Sequence, residues 1–562
     1  MTDVLARLPV PGHRVILELD LTRGLLEQPP ATPLAALRAR QVPMLHAVVD
    51  GLARAARDRR VVGLVAHVGE RLTLAQSGEL RQAVRAFAAT GKPTVAWAES
   101  FGEGAPGNIG YHLASAFDQV WMQPSGELGL VGVHAQALFV RDALTKLGVQ
   151  TQLSQRLEYK TAANTFLESS MTQPHQEMVR RLVDSAMATL VADITSARQL
   201  SPEDVRAAVD AAPLTAQQAL SRGLIDKVGY RDEVYDALRG RLGKVQTRFV
   251  ERHGGGAGAA LRKSRDVVRH RPVVAVVHAS GPIHLGRSGS GLFGGRSIGS
   301  DSLGATLRAA GRDQHIRAVV LRIDSPGGSY VASDTVRREV HALRRAGKPV
   351  VASMGNVAAS GGYYIAMPAD VVVADAATLT GSIGVLGGKQ VVADGLARLG
   401  VRRESVSAGR FAEMFSTERP FDEEEWRRLD AQLDRIYDDF TSKAAHDRGM
   451  PLERLREVAK GRVWTGADAA DIGLVDQLGG LSDAVEVACG RAGIRRRDAE
   501  VRTVPRLRPL ERLRPPLNSD APRGAALPSP MSLPGRLPER LLAAFGLPGW
   551  GLLTLPVTWD LR

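Results

Sequence analysis

AFAATGKPTVAWAES, from Ala86 to Ser100, returns in the second half of the chain as ALRRAGKPVVASMG, from Ala342 to Gly355. The GKP tripeptides that the two stretches share lie 256 residues apart. Further along, AFDQVWMQPSGELGLVGV at 116–133 corresponds to PADVVVADAATLTGSIGV at 368–385, at an offset of 252. Matches that keep their order at a nearly constant offset indicate that this 562-residue chain contains an internal duplication.

Each half alternates short apolar runs with helical stretches. The second half contains VVAVVHASG, AVVLRID, PVVASMG and DVVVAD, which are rich in β-branched residues and typical of buried parallel strands. A helical pattern from Asp334 to Ala346 separates the second run from the third, and Gly347 and Pro349 end it. This alternation predicts an α/β fold made of duplicated βαβ units with right-handed crossovers.

The length and the repeat predict two domains of about 200 residues each. We place an N-terminal domain at 1–250, a Gly-rich charged linker at 251–270 and a C-terminal domain at 271–494. The composition of 495–562 turns to Pro, Arg and Ser, which predicts a disordered tail. The apolar end of this tail, Leu541–Trp559, is broken by Gly and Pro, so it either lies in a membrane interface or packs on protein.

Charge and cysteine content narrow the possible functions. The formal net charge is +13, but much of the excess lies in Arg-rich linkers and in the tail. We interpret it as a solvated basic surface and expect no nucleic-acid partner. The single cysteine, Cys489, excludes an intramolecular disulfide and any multi-cysteine metal site. The N-terminal sequence has no apolar run of the ~20 residues that a spanning helix needs, and it does not read as a secretory signal.

Two segments of the second half have compositions that structure alone does not require. The first is RIDSPGGSY, from Arg322 to Tyr330, which follows a strand. Gly327 and Gly328 let the backbone come close to a ligand, so their N–H groups are candidate donors of an oxyanion hole. A plain tight turn would use the same residues and remains the alternative.

The second segment is MGNVAASGGYYIA, from Met354 to Ala366. Ser360 is flanked there by alanines and glycines, so no bulky neighbour is expected to block its hydroxyl. It also stands where a helix is predicted to begin, and a nucleophilic serine needs both access and nearby N–H donors. The alternative is a helix start whose small residues pack against a strand.

The first half lacks the counterparts of both segments. Aligning Tyr111 with Tyr363 places Asn108 opposite Ser360, and HVGERL stands in place of the paired glycines. The first half therefore keeps the fold without a nucleophile or a donor loop. We expect the first half to contribute a group other than the nucleophile or the oxyanion donors.

Lys160 is the feature that only the first half has. It lies in RLEYKTAANTF at 156–166, and the second half has Ala412 at the corresponding position. We therefore expect a nucleophile from one half, a base from the other, and an active site between the halves. A free lysine titrates near 10.4, and apolar burial lowers that pKa towards the value a neutral base needs. A surface cation is the alternative for Lys160. No histidine lies in a similarly marked segment, whereas Ser-Lys dyads are a known variant of the catalytic triad.

SPGG, MGNVAASGGYYIA and TLTGSIGV, together with EYKTAANTF in a degenerate first half, resemble the long, duplicated form of the signal peptide peptidase A (protease IV) family. The resemblance covers roughly residues 15 to 490. It implies a Clp/crotonase-like domain in each half and an enzyme that cuts leftover signal peptides. The implied roles are nucleophile for Ser360, general base for Lys160 and hydrogen-bond partner of that lysine for Ser382. Oxyanion donors would be Gly361 with Gly328 or Gly327.

The resemblance further implies a homotetramer. The apolar segment Leu541–Trp559 makes peripheral membrane contact possible, and the expected chemistry needs neither metal nor organic cofactor. The chain departs from the family pattern because no N-terminal membrane anchor is readable. Either it acts from the cytoplasmic side, in the bacterial cytoplasm or at the cytoplasmic face of the membrane, or Leu541–Trp559 takes over the anchoring. The predicted function is an ATP-independent serine endopeptidase that degrades apolar peptides through an acyl-enzyme. Two alternatives stay open, a crotonase-like acyl-CoA enzyme and a non-catalytic membrane-associated scaffold.

Overall fold

A computed structural model describes residues 14–30, 37, 39–253, 271–289 and 296–505, together with the backbone of 553–554. The chain forms two compact units. The first contains residues up to His134 and from Ala186 to Arg271, and the second contains Ala135–Ser185 and the chain from Pro272 to Leu561.

The strands of the described residues are, in chain order, β1 (Val15–Asp20), β2 (Val61–His67), β3 (Thr94–Ala98), β4 (Gln119–Met122), β5 (Glu127–Leu128), β6 (Gln150–Gln155), β7 (Leu214–Thr215), β8 (Lys227–Val228), β9 (Gln246–Phe249), β10 (Val273–Ser280), β11 (Ile283–His284), β12 (Ile298–Gly299), β13 (Ile316–Ser325), β14 (Gly327–Gly328), β15 (Val350–Ala359), β16 (Val371–Ala374), β17 (Leu379–Gly381), β18 (Leu386–Val391), β19 (Val463–Thr465), β20 (Gln477–Leu478), β21 (Glu500–Val504) and β22 (Leu553–Thr554).

The α-helices of the same residues are α1 (Leu45–Arg57), α2 (Leu74–Ala88), α3 (Asn108–Ala114), α4 (Arg141–Lys146), α5 (Asn164–Leu167), α6 (Gln173–Arg198), α7 (Pro202–Asp210), α8 (Ala216–Ser221), α9 (Arg231–Leu242), α10 (Ser300–Arg312), α11 (Tyr330–Arg345), α12 (Gly361–Ala366), α13 (Ala393–Arg398), α14 (Glu423–Arg448), α15 (Leu452–Val458), α16 (Gly466–Asp471) and α17 (Leu481–Arg491).

The first unit is built on a parallel sheet with the strand order β8-β4-β3-β2-β1-β9. Its strands read as continuous apolar runs because helices cover both faces. Successive residues of β1 show this, since Ile16 and Leu17 are both buried but belong to separate cores on opposite faces. The smaller core is closed by α9, through side chains such as Val234 and Leu238.

The second unit repeats this frame. Its main sheet contains the path β20-β16-β15-β13-β10-β21, in which every neighbouring pair is parallel, and β17 and β19 extend it beyond β15. The six strands of that path follow the same order as those of the first unit, counted from β8 to β9. The predicted α/β fold of duplicated parallel units is confirmed.

Two strands, β21 and β22, lie where the sequence predicted a disordered tail. β21, at Glu500–Val504, pairs with β10 in the way that β9 pairs with β1 in the first unit. β21 thereby pairs the outer backbone groups of β10, as β9 does for those of β1. The ordered chain therefore runs past 494, and most of Leu541–Trp559 lies outside the described residues.

The domain boundary also differs from the expected one, because Ala135–Ser185 packs with the second unit. β6 forms an antiparallel pair with β18 over six residues. Arg156 contacts Asp430 at 3.0 Å, and Arg181 donates to Asp468 at 3.1 Å. The segment is thus first-half sequence that folds as part of the second unit.

The helix predicted over Asp334–Ala346 begins four residues earlier, at Tyr330. Ser329 caps it by accepting a hydrogen bond from the N–H of Ala332, so the helix starts directly after the paired glycines.

Among the helices that the structure describes, none combines the length and the apolar character needed to cross a membrane.

Candidate active site

Ser360 lies between a strand and a helix in the second unit. It follows β15 directly and precedes α12, and its φ of 56° lies in the left-handed region that residues other than glycine rarely adopt. The backbone is held there because the N–H of Ser360 donates to Gly381 at 2.8 Å and its carbonyl accepts from Tyr364 at 2.9 Å. Strained backbone of this kind concentrates at functional sites.

The structure brings Lys160 to this serine within one compact unit. The Lys160 Nζ lies 2.9 Å from the Oγ of Ser360. It also donates to Ser382, at 3.0 Å to Oγ and 3.3 Å to the carbonyl oxygen. The expectation of a site between the two halves therefore needs correction, since the lysine belongs to the first half of the sequence but to the second unit of the structure.

Among the residues that the structure describes, no charged group is placed to hold the proton of Lys160. The side chain has no exposed surface, and within the described part of the chain no carboxylate forms an ion pair with it. Burial alone lowers the pKa of the amine to about 7. The predicted apolar burial is thus observed, and the alternative of a surface cation is wrong.

Ser382 occupies a second left-handed position, with φ 51°. Its N–H donates to the carbonyl of Arg462 at 2.7 Å, just after the chain leaves β17. This geometry turns both its hydroxyl and its carbonyl towards Nζ of Lys160. The sequence-predicted residues Ser360, Lys160 and Ser382 therefore form one hydrogen-bonded cluster.

The predicted access to the serine hydroxyl is not observed. Ser360, like its two partners, has no exposed surface. Small neighbours do surround it, but the lysine and Ser382 fill the space that those neighbours leave.

The two candidate donor glycines of the SPGG segment differ in their hydrogen bonding. The N–H of Gly327 donates to Ser325 Oγ at 3.2 Å, so it is already engaged. Gly361 approaches Gly328 so closely that a Cβ on Gly361 would lie 3.0 Å from the Gly328 nitrogen. The Gly328 nitrogen thus lies close to Gly361, the residue that follows Ser360, and Gly361 with Gly328 stays the candidate donor pair.

Two further glycines shape the lysine site, and the sequence analysis missed them. A Cβ on Gly461 would lie 2.5 Å from the Cβ of Lys160, and one on Gly384 would lie 3.0 Å from its Cδ. The N–H of Gly461 donates to the carbonyl of Ile383 at 2.8 Å, which ties the two glycine segments together. Comparison of the halves could have revealed Gly461, because the first half has Ala211 at the corresponding position, 250 residues earlier. A glycine that only the second half has is a signal of the same kind as Ser360.

A Ser-His-Asp cluster that the sequence did not reveal lies in the first unit. Ser77 Oγ is 2.7 Å from His112 Nδ1, and His112 Nε2 is 2.8 Å from Asp193 Oδ2. Ser77 lies inside α2, where the backbone N–H groups are used by the helix and none is left to hold an oxyanion. Burial lowers the pKa of His112 to about 4. We interpret the cluster as a buried network that ties helices together.

Asn108, the residue opposite Ser360 in the repeat, also has a structural role. Its Nδ2 donates to the carbonyl of Gly132 at 2.8 Å, and its Oδ1 accepts from the N–H of the same glycine at 3.1 Å. At the position where the second unit carries Ser360, the first unit therefore carries a side chain that holds its own backbone.

Comparison with known proteins gives matches along most of the chain. The model of the family described as peptidase family S49 matches residues 86–245 and 342–495. The chain is 32% identical over 452 residues to "Serine protease SPPA, chloroplastic" of Arabidopsis thaliana, covering 79% of this chain and 65% of the relative, just under two thirds. It is 32% identical over 462 residues to "Protease 4" of Salmonella typhi, covering 80% of this chain and 72% of that one.

Among solved structures, a ClpP1 variant from Listeria monocytogenes is similar to part of the chain. It is 14% identical with a TM-score of 0.25, and the match covers 40% of this chain and 98% of that one.

The burial of Lys160 predicts a pH-dependent stability difference in Lys160→Met. Because the native pKa is about 7 and the unfolded one about 10.4, the unfolded chain binds more protons between these values, so native stability rises with pH across that window. At pH 7 the burial of this amine lowers the free energy of unfolding by roughly 4–5 kcal/mol. Three lost hydrogen bonds, to the Ser360 hydroxyl and to the hydroxyl and the carbonyl of Ser382, offset about 3 kcal/mol of it. We expect the methionine variant to be about 1–2 kcal/mol more stable at pH 7 and to lose this advantage by pH 10 in denaturant titrations.

Lys244→Met, at an exposed lysine of the first unit, is the control and should show no such dependence. An equal stability gain at pH 7 and pH 10 would contradict the depressed pKa of Lys160.

Proposed function

This chain belongs to peptidase family S49, and we propose that it is an endopeptidase in which Ser360 attacks the scissile carbonyl while Lys160 accepts the hydroxyl proton. Membership of the family confirms the resemblance drawn from the sequence and the predicted enzyme class, a serine peptidase. The observation that carries the proposed dyad is the 2.9 Å hydrogen bond between Lys160 Nζ and Ser360 Oγ.

The proposed base needs a neutral amine with a free electron pair. At a pKa of about 7, a large share of the Lys160 amines is neutral at neutral pH, whereas an exposed lysine is almost entirely charged. Ser382 would orient that amine, because its hydroxyl and carbonyl oxygen fix Nζ against Ser360. The arrangement follows the logic of the catalytic triad with lysine in place of histidine.

The proposed reaction runs through an acyl-enzyme. Attack by Ser360 Oγ would give a tetrahedral intermediate, whose oxyanion the N–H groups of Gly361 and Gly328 would stabilise. Lys160 would return the proton to the leaving amine as the peptide bond breaks, leaving an ester on Ser360. Water, deprotonated by the same lysine, would then hydrolyse the ester.

We further propose that the substrates are extended, apolar peptides, including cleaved signal peptides. Apolar side chains lie next to the serine, since Ala359 belongs to a cluster that includes Leu379 and Val463, with Tyr159 and Val357 packed against it and partly exposed. Partly exposed apolar groups beside a site favour apolar ligands.

Oligomeric assembly and peripheral membrane contact belong to the same proposal. Large apolar side chains are exposed along one stretch of the second unit, at Leu399, Val406 and Phe415. Exposed apolar surface of this kind is typical of interfaces with protein or membrane. A homotetramer is the assembly we propose.

The acyl-CoA alternative would use glycine N–H groups but would not need the serine and the lysine in hydrogen-bond contact. The scaffold alternative needs neither the serine nor the lysine. The contact between Lys160 and Ser360 therefore favours the peptidase mechanism over both.

Removing either member of the dyad should abolish peptide cleavage. We expect Ser360→Ala and Lys160→Ala to lower kcat/KM for an apolar fluorogenic peptide by roughly 10³–10⁴-fold. In the wild type, kcat/KM should rise with pH through about 7 and then level off, because only the neutral amine accepts a proton. Labelling of Ser360 by a fluorophosphonate should follow the same profile.

The exposed Lys244→Ala is the matched control and should retain full activity. Cleavage that persists in folded Lys160→Ala would show that the dyad assignment is wrong.

The oxyanion donors can be tested at Gly361. A Cβ there would lie 2.8 Å from Ser333 Oγ and 3.0 Å from the Gly328 nitrogen, so Gly361→Ala should displace a donor. We expect kcat to fall about 10²–10³-fold with little change in KM, measured on the same peptide. The control is Gly490→Ala, at a helical glycine with open space around it, and it should leave kcat unchanged. An unchanged kcat in Gly361→Ala as well would show that the oxyanion donors lie elsewhere.

Gly461 is proposed as a positioning residue for Lys160. Its φ is +77°, and an added Cβ would overlap the backbone of the lysine. Gly347 has a φ of +75° with open space around it, so Gly347→Ala carries the same backbone strain without the contact. We expect Gly461→Ala to lower kcat at least tenfold and to raise the pH at which kcat/KM reaches half of its plateau, because the amine loses burial.

Gly347→Ala should keep the wild-type profile. If both variants shift the profile equally, backbone strain and not contact with Lys160 explains the effect.

A further inference from the structure

The parallel sheet of the first unit has a different charge at each of its two edges. All six strands run in one direction, so their amino ends meet at one edge, which we call the amino edge. Their carboxyl ends meet at the opposite edge, the carboxyl edge. Because α1, α2 and α9 connect parallel strands, these helices run back and end at the amino edge.

The exposed charges of the amino edge are mostly cationic. Exposed arginines lie in the last turns of α1 and α9 and directly before β2, at Arg54, Arg57, Arg59, Arg60, Arg239 and Arg241. Two carboxylates beside them are paired, since Asp58 contacts Arg60 at 2.7 Å and Asp236 contacts Arg239 at 3.2 Å. The positive charge that faces solvent is therefore larger than the negative charge.

Two further carboxylates of this edge also have partners. Asp118, before β4, accepts a hydrogen bond from the N–H of Thr94 at 2.9 Å. Asp226, before β8, contacts Arg198 at 2.8 Å. These carboxylates are held by groups of the unit itself, so they leave the basic character of the edge in place.

The carboxyl edge of the same sheet is acidic. Exposed glutamates lie in the segments that follow β2, β3 and β4, at Glu70, Glu99, Glu103 and Glu127. The 7 residues of β2 separate the two edges by ~23 Å, about three times the screening length of ~8 Å in physiological salt. A charged surface that lies against one edge is therefore screened from the other.

A cleft opens at the amino edge between α9 and the first residues of β3 and β4. Its volume is about 400 Å³, and its lining includes Trp121, Leu238, Lys227 and Arg241. The Lys227 Nζ lies 4.8 Å from the centre of the Trp121 ring, which places a cation over an aromatic face. Tryptophan together with basic side chains is typical of the interface between membrane and water.

We propose that the amino edge of the first unit docks on an anionic membrane surface through its exposed arginines, with the cleft beside α9 facing the lipid headgroups. A membrane is favoured over a nucleic acid because these cations lie on separate helix ends and loops. Nucleic acids are bound by elements that enter a groove or by exposed aromatic platforms.

This inference rests on the proposed membrane contact and adds the face and the lipid chemistry to it. Apolar peptides, the proposed substrates, collect at membranes, so docking would bring the enzyme to them. The docking itself does not depend on the peptidase reaction.

The test compares two double charge reversals in the full-length chain. Arg57→Glu with Arg59→Glu changes the amino edge, and Arg23→Glu with Arg71→Glu, at exposed arginines that follow β1 and β2, is the matched control at the carboxyl edge. Each cation near an anionic leaflet raises the binding constant roughly fivefold. We expect the first pair to weaken binding by roughly tenfold or more and the control pair to leave it nearly unchanged.

Binding is measured by sedimentation with vesicles of equal parts phosphatidylglycerol and phosphatidylcholine. Vesicles of phosphatidylcholine alone should bind neither the wild type nor the variants. Arg57→Lys with Arg59→Lys should bind like the wild type, because the attraction depends on charge and not on the guanidinium geometry. An unchanged midpoint of thermal unfolding checks that each variant is folded.

A second measurement reports which face meets the lipid. An environment-sensitive fluorophore is attached to Ala89→Cys, between α2 and β3 at the amino edge, or to Ala105→Cys, between β3 and α3 at the carboxyl edge; both positions are exposed. The native Cys489 is buried and should react little. Anionic vesicles should shift the emission to shorter wavelength at the first position only.

Equally strong vesicle binding by the two reversed pairs would overturn the proposal, and so would an emission shift at Ala105→Cys alone. In both cases the proposed membrane contact would survive on another surface. If the wild type does not bind anionic vesicles, that contact fails together with this inference. Binding of duplex DNA that depends on Arg57 and Arg59, without such a dependence for vesicles, would assign the edge to nucleic acid instead.

Discussion

A buried amine without a carboxylate partner is the constraint on which the candidate site depends. Within the described residues Lys160 gains no ion pair in return for losing water, so burial favours its neutral form and lowers its pKa to about 7. The surrounding elements hold the amine in place. The hydroxyl and the carbonyl of Ser382 and the hydroxyl of Ser360 lie within hydrogen-bond distance of Nζ, and the glycines at 384 and 461 leave room for the lysine stem.

The position of Lys160 depends on Ala135–Ser185, the first-half segment that folds with the second unit. The segment is held by the β6–β18 pair and by arginines that contact Asp430 and Asp468. These contacts hold the backbone on both sides of Lys160 against the second unit. The repeat supplies the frame, and this segment supplies the buried lysine.

Much of this could be predicted from the sequence, because its signals were local or repeated. The apolar runs predicted the parallel strands, and comparison of the halves singled out Ser360 and Lys160. The unit boundary could not be predicted, since an antiparallel pair between β6 and β18 leaves no local signal at residues 135 or 185. Gly461 was missed because its role comes from a contact across 301 positions of sequence with Lys160. The strand at 500–504, EVRTV, is rich in β-branched residues, but it was missed because it is short and stands between Arg- and Pro-rich stretches.

The tie between Asn108 and Gly132 has a consequence for engineering the first unit. Both ends of one side-chain amide are used there, one donating to a carbonyl and the other accepting from an N–H. Replacing that amide by a hydroxyl would cost the unit both backbone contacts. Two copies of one fold can therefore use the same position for different purposes, to hold the backbone in the first unit and to carry a hydroxyl beside a buried amine in the second.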